Sequence, residues 1–104
     1  MNSELLMDYI KQRCNELGIK QYNYRLRHYV LAPRGKTSIS AANQLFILTE
    51  PTEMVLINSD SGVYDLSTGN SNELQYEHKG EITMQNYSSV IRHIIFVQVI
   101  PKTL

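Results

Sequence analysis

Tyrosine and basic side chains alternate along residues 22–36, the segment whose residue types come closest to a binding chemistry. They are Tyr22, Tyr24, Arg25, Arg27, Tyr29, Arg34 and Lys36. Aromatic rings stack on nucleic-acid bases while Arg and Lys contact phosphates, so the segment suggests single-stranded nucleic-acid binding. The same residue types also suit a protein–protein contact, or a strand with buried Tyr and solvated Arg. Side chains alternate between the two faces of a strand, so Tyr22 and Tyr24 are expected on one face and Arg25 and Arg27 on the other. Only Tyr29 is expected on the same face as the arginines.

A second candidate surface lies on the apolar stretch at 91–100. The side chains of Ile94, Phe96 and Gln98 project from one side of the expected strand, and mainly apolar side chains project from the other. A strand that is apolar on both sides is either central between packed layers or covered by another element. That cover is either the chain's own helix or another subunit.

No other group of side chains predicts a reaction. His28, His78 and His93 lack metal-ligand spacing, and Cys14 belongs to the apolar side of the expected helix. The sequence contains neither a nucleophile elbow nor a glycine-rich phosphate loop. We therefore expect a protein that is not an enzyme, with no catalytic residues, no metal and no cofactor.

One helix and several strands are expected to position these segments. Apolar residues at helical spacing predict a helix at 4–17, and Gly18 is expected to end it. Turn-forming residues predict turns at 32–35, 59–62, 78–80 and 86–89. Alternating or continuous apolar patterns predict strands at 22–31, 36–41 (at a sheet edge), 53–58, 63–66, 73–77, 81–86 and 91–100, with a further apolar run at 45–49. The last two strands are expected to pair across their turn.

Short strands at this spacing indicate a mainly β fold, an antiparallel β-sandwich of seven or eight strands with one N-terminal helix. The Asn86–Ser89 turn, between a short alternating strand and a long apolar one, resembles the paired strands of many immunoglobulin-like and jelly-roll modules. That resemblance implies a sandwich and no site residues. The 104 residues are expected to form one domain, with the helix at 4–17, the sandwich at 22–100 and a tail at 101–104.

The charge distribution is uneven although the net charge is zero. Residues 1–36 carry seven Lys and Arg against three acidic residues, a net charge of +4, and the remaining residues carry a net charge of −4. A basic front and an acidic body can pair within one molecule or between neighbouring copies. Charged residues make up only 19% of the chain, which lowers the cost of desolvating its surface against a partner.

The sequence also bears on where the protein acts. No apolar run approaches the length of a membrane span, and the N-terminus lacks the basic start and small-residue cleavage site of a signal peptide. The single cysteine excludes a disulfide within the chain. We expect a cytoplasmic protein, or one present in a virion, with no membrane partner.

These observations favour a non-catalytic structural or interaction protein that binds other protein subunits, copies of itself or others, in a larger assembly. An auxiliary or decoration protein of a phage or virus capsid is the expected kind. The alternative is a small single-stranded nucleic-acid-binding β-domain that uses segment 22–36, and a third hypothesis is an inhibitor that occupies another protein's active site. The expected contact residues are Tyr22, Tyr24, Arg25, Arg27, Tyr29, Arg34, Lys36, Ile94, Phe96 and Gln98.

Overall fold

The computed structural model describes residues 3–49, 52–65 and 76–102, without the side chains at positions 3, 42 and 43. These residues form one helix and six strands: α1 (Ser3–Glu16), β1 (Tyr22–Leu31), β2 (Lys36–Leu48), β3 (Val55–Ser59), β4 (Gly62–Asp65), β5 (Glu77–Asn86) and β6 (Arg92–Pro101). The expected mainly β fold with an N-terminal helix is confirmed. Positions 66–75, where the end of one strand, a loop and the start of another are expected, lie outside the described residues.

The six strands form one antiparallel sheet in the order β1-β6-β2-β5-β3-β4. The described residues contain no second sheet, so the expected sandwich is not shown. The expected pairing of the last two strands is wrong, because β5 and β6 both pair with β2, which lies between them. The turn at 86–89 therefore connects two strands that are not neighbours in the sheet.

Strand β2 bends, and this bend explains two differences from the expected elements. Residues 36–41 pair only with β5, as an edge strand would, whereas 45–48 pair with β6. A bulge between Ala41 and Phe46 joins the two halves into one strand of 13 residues. The turn expected at 78–80 lies inside β5 instead, where Gly80 faces Ala41 across the ladder with a φ of 73°. Glycine adopts this left-handed backbone at little cost, so the strand continues through the bend.

The bend makes the sheet curl. The Asn86 side chain on β5 donates a hydrogen bond to the carbonyl oxygen of Leu31 on β1 over 3.2 Å. These strands are three positions apart in the sheet order, a separation of about 14 Å in a flat sheet. The direct contact therefore requires β1 and β5 to approach each other around the concave side of the sheet, here called the inner face.

Apolar residues fill both faces of the sheet. The inner face holds the larger buried cluster, which consists of Leu31, Ala41, Phe46, Leu48, Val55, Ile57, Tyr64, Ile82, Met84, Ile94 and Phe96. The opposite face, here called the helix face, packs against α1 through Leu6, Ile10, Cys14, Leu45, Ile47, Val97 and Val99. The prediction that β6 is apolar on both sides is thus confirmed, and the chain's own helix covers Val97 and Val99 on the outer side.

Helix α1 ends as its sequence predicts. Gly18 has a φ of 75°, the backbone N–H of Ile19 donates to the carbonyl of Cys14 over 2.8 Å, and that of Gly18 donates to Asn15 over 3.2 Å. This pair of bonds is the Schellman motif, which satisfies carbonyls at the helix end. Ile19 then packs on the cluster that contains Cys14, so the motif also directs the chain back towards the sheet.

Candidate protein-binding surface on strand β1

Strand β1 forms one edge of the sheet. It pairs with β6 along its whole length, from Tyr22 opposite Pro101 to Leu31 opposite Arg92, without a register shift. No strand of the described part of the chain pairs with its other side. The strand contains no proline and no bulge, two of the devices by which proteins block an exposed edge. Its outer backbone groups are therefore placed to pair with another strand.

The helix face of β1 carries an exposed apolar stripe, which we define as Tyr24, Leu26 and Val30. Leu26 is 69% exposed, Val30 is 56% exposed and Tyr24 is 55% exposed. Tyr22 lies on the same face but is half-buried, because it packs against the cluster under α1. The apolar surface that the helix leaves uncovered thus begins one alternate position beyond Tyr22 and continues to the end of the strand.

Two arginines lie on the inner face of β1 and share one acceptor. Arg25 Nε donates to Gln98 Oε1 over 2.9 Å, and Arg27 Nη1 donates to the same oxygen over 3.1 Å. The buried Gln98 also donates through Nε2 to Gln44 Oε1. The guanidinium carbon of Arg27 lies 5.6 Å from the centre of the Tyr29 ring, a cation–π distance. Gln98 is uncharged, so both arginines keep their full positive charge at this edge.

A histidine pair sits within the helix face of the β1–β6 ladder. His28 Nε2 and His93 Nδ1 are 2.8 Å apart, and the ring centres are 5.0 Å apart. One nitrogen must donate and the other accept in this arrangement. Both rings are exposed, and they interrupt the apolar stripe with a polar contact.

The structure brings six of the predicted contact residues together on one face. Across the β1–β6 ladder, Arg25 pairs with Gln98, Arg27 with Phe96 and Tyr29 with Ile94. Ile94 and Phe96 are fully buried in the inner-face cluster, so they form the part of the core next to the arginines of β1.

The other four predicted residues lie apart from this group. Tyr22 and Tyr24 are on the helix face, as alternation predicts. Arg34 lies in the turn after β1, and Lys36 begins β2. The turn is of type II because Gly35 N donates to Ala32 O and Arg34 has a φ of 63°. The tyrosines and the arginines therefore do not form one continuous aromatic and basic surface.

An ion pair beneath the end of α1 was not predicted from the sequence. Arg13 contacts both carboxylate oxygens of Glu77 at 2.7 and 2.9 Å, and Tyr9 donates to Oε1 over 3.0 Å. The hydrogen bond from Arg13 keeps the pKa of Glu77 below its ordinary value, against the effect of burial. Burial and the bond to Glu77 raise the pKa of Tyr9 to about 12. The group fastens the helix to β5, and no local pattern links partners 64 residues apart.

Next to this ion pair is a cavity of about 330 Å³. Its wall contains Arg13 and Glu77 together with Leu17, Gln44 and Lys79. The charged side chains of this wall balance in number, with Arg13 and Lys79 against Asp60 and Glu77, and Arg13 and Glu77 already bind each other. The cavity is accordingly a weaker candidate for ligand binding than the β1 edge.

Two searches among the described residues concern other classes of site. No three His, Cys, Asp or Glu side chains there come together in a way that could hold a metal ion. The helix found in that part of the chain is too short and too polar to cross a membrane.

Comparison with known proteins adds no relative. No protein-family model, no curated protein and no solved structure matches this chain.

Proposed function

We propose that this chain is a non-catalytic interaction protein that binds other protein subunits in a larger assembly through strand β1. The observation that carries the proposal is the unblocked edge of β1 together with its exposed apolar stripe. Burial of a large apolar side chain contributes about 1.5–3 kcal/mol before the costs of association are subtracted. Leu26, Val30 and Tyr24 thus offer enough apolar surface to anchor a contact.

The positions of the nucleophilic groups support a non-catalytic protein. Ser59 Oγ lies 2.7 Å from His78 Nδ1, a distance that suits a nucleophile and its base. His78, however, is fully buried, and its ring lies edge-on to Phe96. The Ser59 oxygen also accepts the backbone N–H of Ser61 in the β3–β4 turn. The pair is therefore better explained as part of the core and turn than as a site open to substrate.

Cys14 gives the same kind of support. It lies on α1 and is buried against the sheet, and burial raises the pKa of its thiol. A raised pKa leaves less of the reactive thiolate at neutral pH. The cysteine therefore acts as a small apolar residue in the helix–sheet contact.

The charge distribution supports assembly with other subunits. The basic residues lie mainly in the first 36 positions, which include β1, and the acidic ones lie mainly beyond them. The basic part of one subunit can therefore meet acidic regions of neighbouring subunits. An auxiliary or decoration protein of a phage or virus capsid is one subunit of this kind, and its place would be the virion.

The alternative, a single-stranded nucleic-acid-binding domain, has less support. Its stacking rings and its cations would have to act together, but Tyr24 and the arginines lie on opposite faces of β1. One feature remains in its favour, namely the row formed by Arg25, Arg27 and Tyr29 on the inner face.

The test compares two edge strands of the same sheet. Leu26→Lys places a charge in the stripe of β1, and Val63→Lys, at a side chain that is 46% exposed on β4, is the matched control. Size-exclusion chromatography with light scattering, on the chain alone and with proteins captured from its native source, should show association that Leu26→Lys removes and Val63→Lys keeps. A monomer without a partner, or equal loss in both variants, would contradict the proposal.

A further inference from the structure

We infer that the outer edge of β1 accepts an extended acidic segment of a partner protein as an additional strand of the sheet. This inference rests on the proposed function and specifies the chemistry of the partner. Its segment alternates apolar residues with Asp or Glu. The apolar residues lie beside the stripe on the helix face, and the carboxylates lie beside the arginines on the inner face.

The backbone of β1 meets the first requirement of strand addition. All ten residues of the strand have a backbone N–H, since none is proline. In an antiparallel ladder about half of these groups point to the existing neighbour, and the others point to the open side. The regular register with β6 keeps the outward groups evenly spaced, so an incoming strand finds a continuous row of donors and acceptors.

The side chains of β1 decide which segment fits. Opposed residues of paired strands share a face, and their Cβ atoms lie about 4.5–5.5 Å apart. Residues next to Leu26 and Val30 therefore gain most from being apolar. Residues next to Arg25 and Arg27 gain most from carrying a carboxylate, because no carboxylate of the described part of the chain contacts either guanidinium.

A second copy of the chain is a poorer occupant of this edge. A two-fold antiparallel pairing of β1 with itself centres on one residue, and the registers that use most of the strand centre on Leu26 or Arg27. The first places Arg25 opposite Arg27 of the other copy, and the second places the two Arg27 side chains opposite each other. Like charges directly opposed across a ladder are destabilising, so charge complementarity favours an acidic partner.

The test uses synthetic peptides of about eight residues with the full-length protein. The probe alternates Val and Glu, a second peptide alternates Val and Lys, and a third is the Val/Glu peptide with every backbone nitrogen methylated. Calorimetry at low salt should show binding of the first peptide only. The Lys peptide lacks charge complementarity, and the methylated peptide cannot donate hydrogen bonds to the strand edge.

Variants of the protein separate charge from folding. Arg25→Glu with Arg27→Glu should weaken binding of the Val/Glu peptide at least about tenfold. Arg25→Gln with Arg27→Gln keeps donors for Gln98 and should weaken it less. Circular dichroism and thermal unfolding of each variant establish that the fold persists. Equal binding of the Lys or methylated peptide, or unchanged affinity in the Glu variant, would overturn the inference.

Two further outcomes separate this inference from its alternatives. If Leu26→Lys removes association but no acidic peptide binds, the proposed function stands and the strand-addition inference fails. If neither occurs, both fail. If an oligothymidylate binds with a steep salt dependence while the Val/Glu peptide does not, the arginine row serves nucleic acid and the inference is overturned.

Discussion

Two regions of the helix face differ sharply in exposure although both carry apolar side chains. Over the middle of the sheet, Val97 and Val99 of β6 are buried beneath α1. Over its edge, Leu26 and Val30 of the adjacent strand β1 are more than half exposed. The two regions belong to the same face and pair within one ladder.

The difference shows that the element above a strand, and not the strand's own pattern, decides which apolar side chains are buried. A helix is about 10 Å wide and neighbouring strands are about 4.8 Å apart, so one helix covers about two strands. Helix α1 covers β2 and β6 and leaves β1 open beyond Tyr22. A protein that exposes such an edge must have something to cover it or risk aggregation.

Removing a side chain from the covered region should have the largest effect. Ile10→Ala deletes a fully buried contact between α1 and the sheet and should lower the free energy of unfolding by about 2–5 kcal/mol. Leu26→Ala in the open region should change it by no more than about 0.5 kcal/mol. Urea denaturation of both variants measures the contrast. Similar losses would mean that β1 is covered in the free chain.

Substitution of Asn86, which attaches the end of β1 to β5, should have the next largest effect on stability. The Asn86 side chain donates to the carbonyls of Leu31, Ala32 and Val90, and Ser88 donates to its Oδ1. Asn86→Ala removes these hydrogen bonds, although the Ala32 carbonyl still accepts from Gly35 N and the Val90 carbonyl still accepts from Ser88 Oγ. The loss should lower the free energy of unfolding by about 2–3 kcal/mol.

Asn86→Asp serves as the control for this network. Aspartate keeps the acceptor for Ser88 but loses the donors, so it should destabilise the protein as well. A loss below about 0.5 kcal/mol in both variants, measured by thermal unfolding, would show that Asn86 does not hold β1.

The ion pair on the covered side predicts a pH dependence. The pKa of Glu77 is below its ordinary value in the folded chain, so its contribution is complete above the unfolded pKa and is lost as the pH falls through the folded pKa. Urea unfolding should therefore show stability falling below about pH 4.5. Glu77→Gln should lower the free energy of unfolding at neutral pH by about 1–2 kcal/mol. It should also make the free energy of unfolding less dependent on pH in the acid range. Glu16→Gln, at an exposed partner of Arg13, is the control and should change little.

Tyr9, which belongs to the same group, predicts how the stability of the protein changes at alkaline pH. Its pKa is raised from 10.0 to about 12, so its contribution is complete below pH 10.0 and is lost as the pH rises towards 12. Tyr9→Phe should reduce this dependence in a spectroscopic titration of stability, and the buried Tyr64, whose pKa is also raised to about 12, should account for a part that remains. An identical dependence in wild type and variant would show that Tyr9 is not buried beside Glu77 in solution.

The smallest effect is expected in the turn that ends the open strand. Arg34 occupies a left-handed backbone position, with a φ of 63°, which glycine adopts without steric cost. Arg34→Gly should raise the free energy of unfolding by about 0.5–1 kcal/mol and leave binding at β1 unchanged. A lower melting temperature in differential scanning calorimetry would contradict this prediction.

The parts of the fold set by neighbouring residues could be predicted from the sequence. Gly18 marked the helix end, Pro33 with Gly35 marked the first turn, and alternation placed Tyr29 with the arginines of β1. Each of these depends on a few residues in sequence, so their side chains and backbone preferences carry enough information.

The parts set by distant residues could not be predicted in the same way. The sequence pattern breaks between Ala41 and Leu45, but the chain continues as one strand because β5 pairs with it on both sides of the bend and β6 pairs with residues 45–48. The insertion of β2 between β5 and β6, and the Arg13–Glu77 ion pair, likewise depend on residues far apart in sequence. For the candidate site, the sequence predicted the side chains of β1 but not that this strand lies at the edge of the sheet.

Amide hydrogen exchange of the full-length protein, free and in its associated state, tests the role of β1 most directly. If β1 is the binding edge, alternate amides of residues 22–31 should exchange more slowly on association, while those of β4 at the opposite edge should not change. Unchanged exchange along β1 in an assembly that has demonstrably formed would contradict the account.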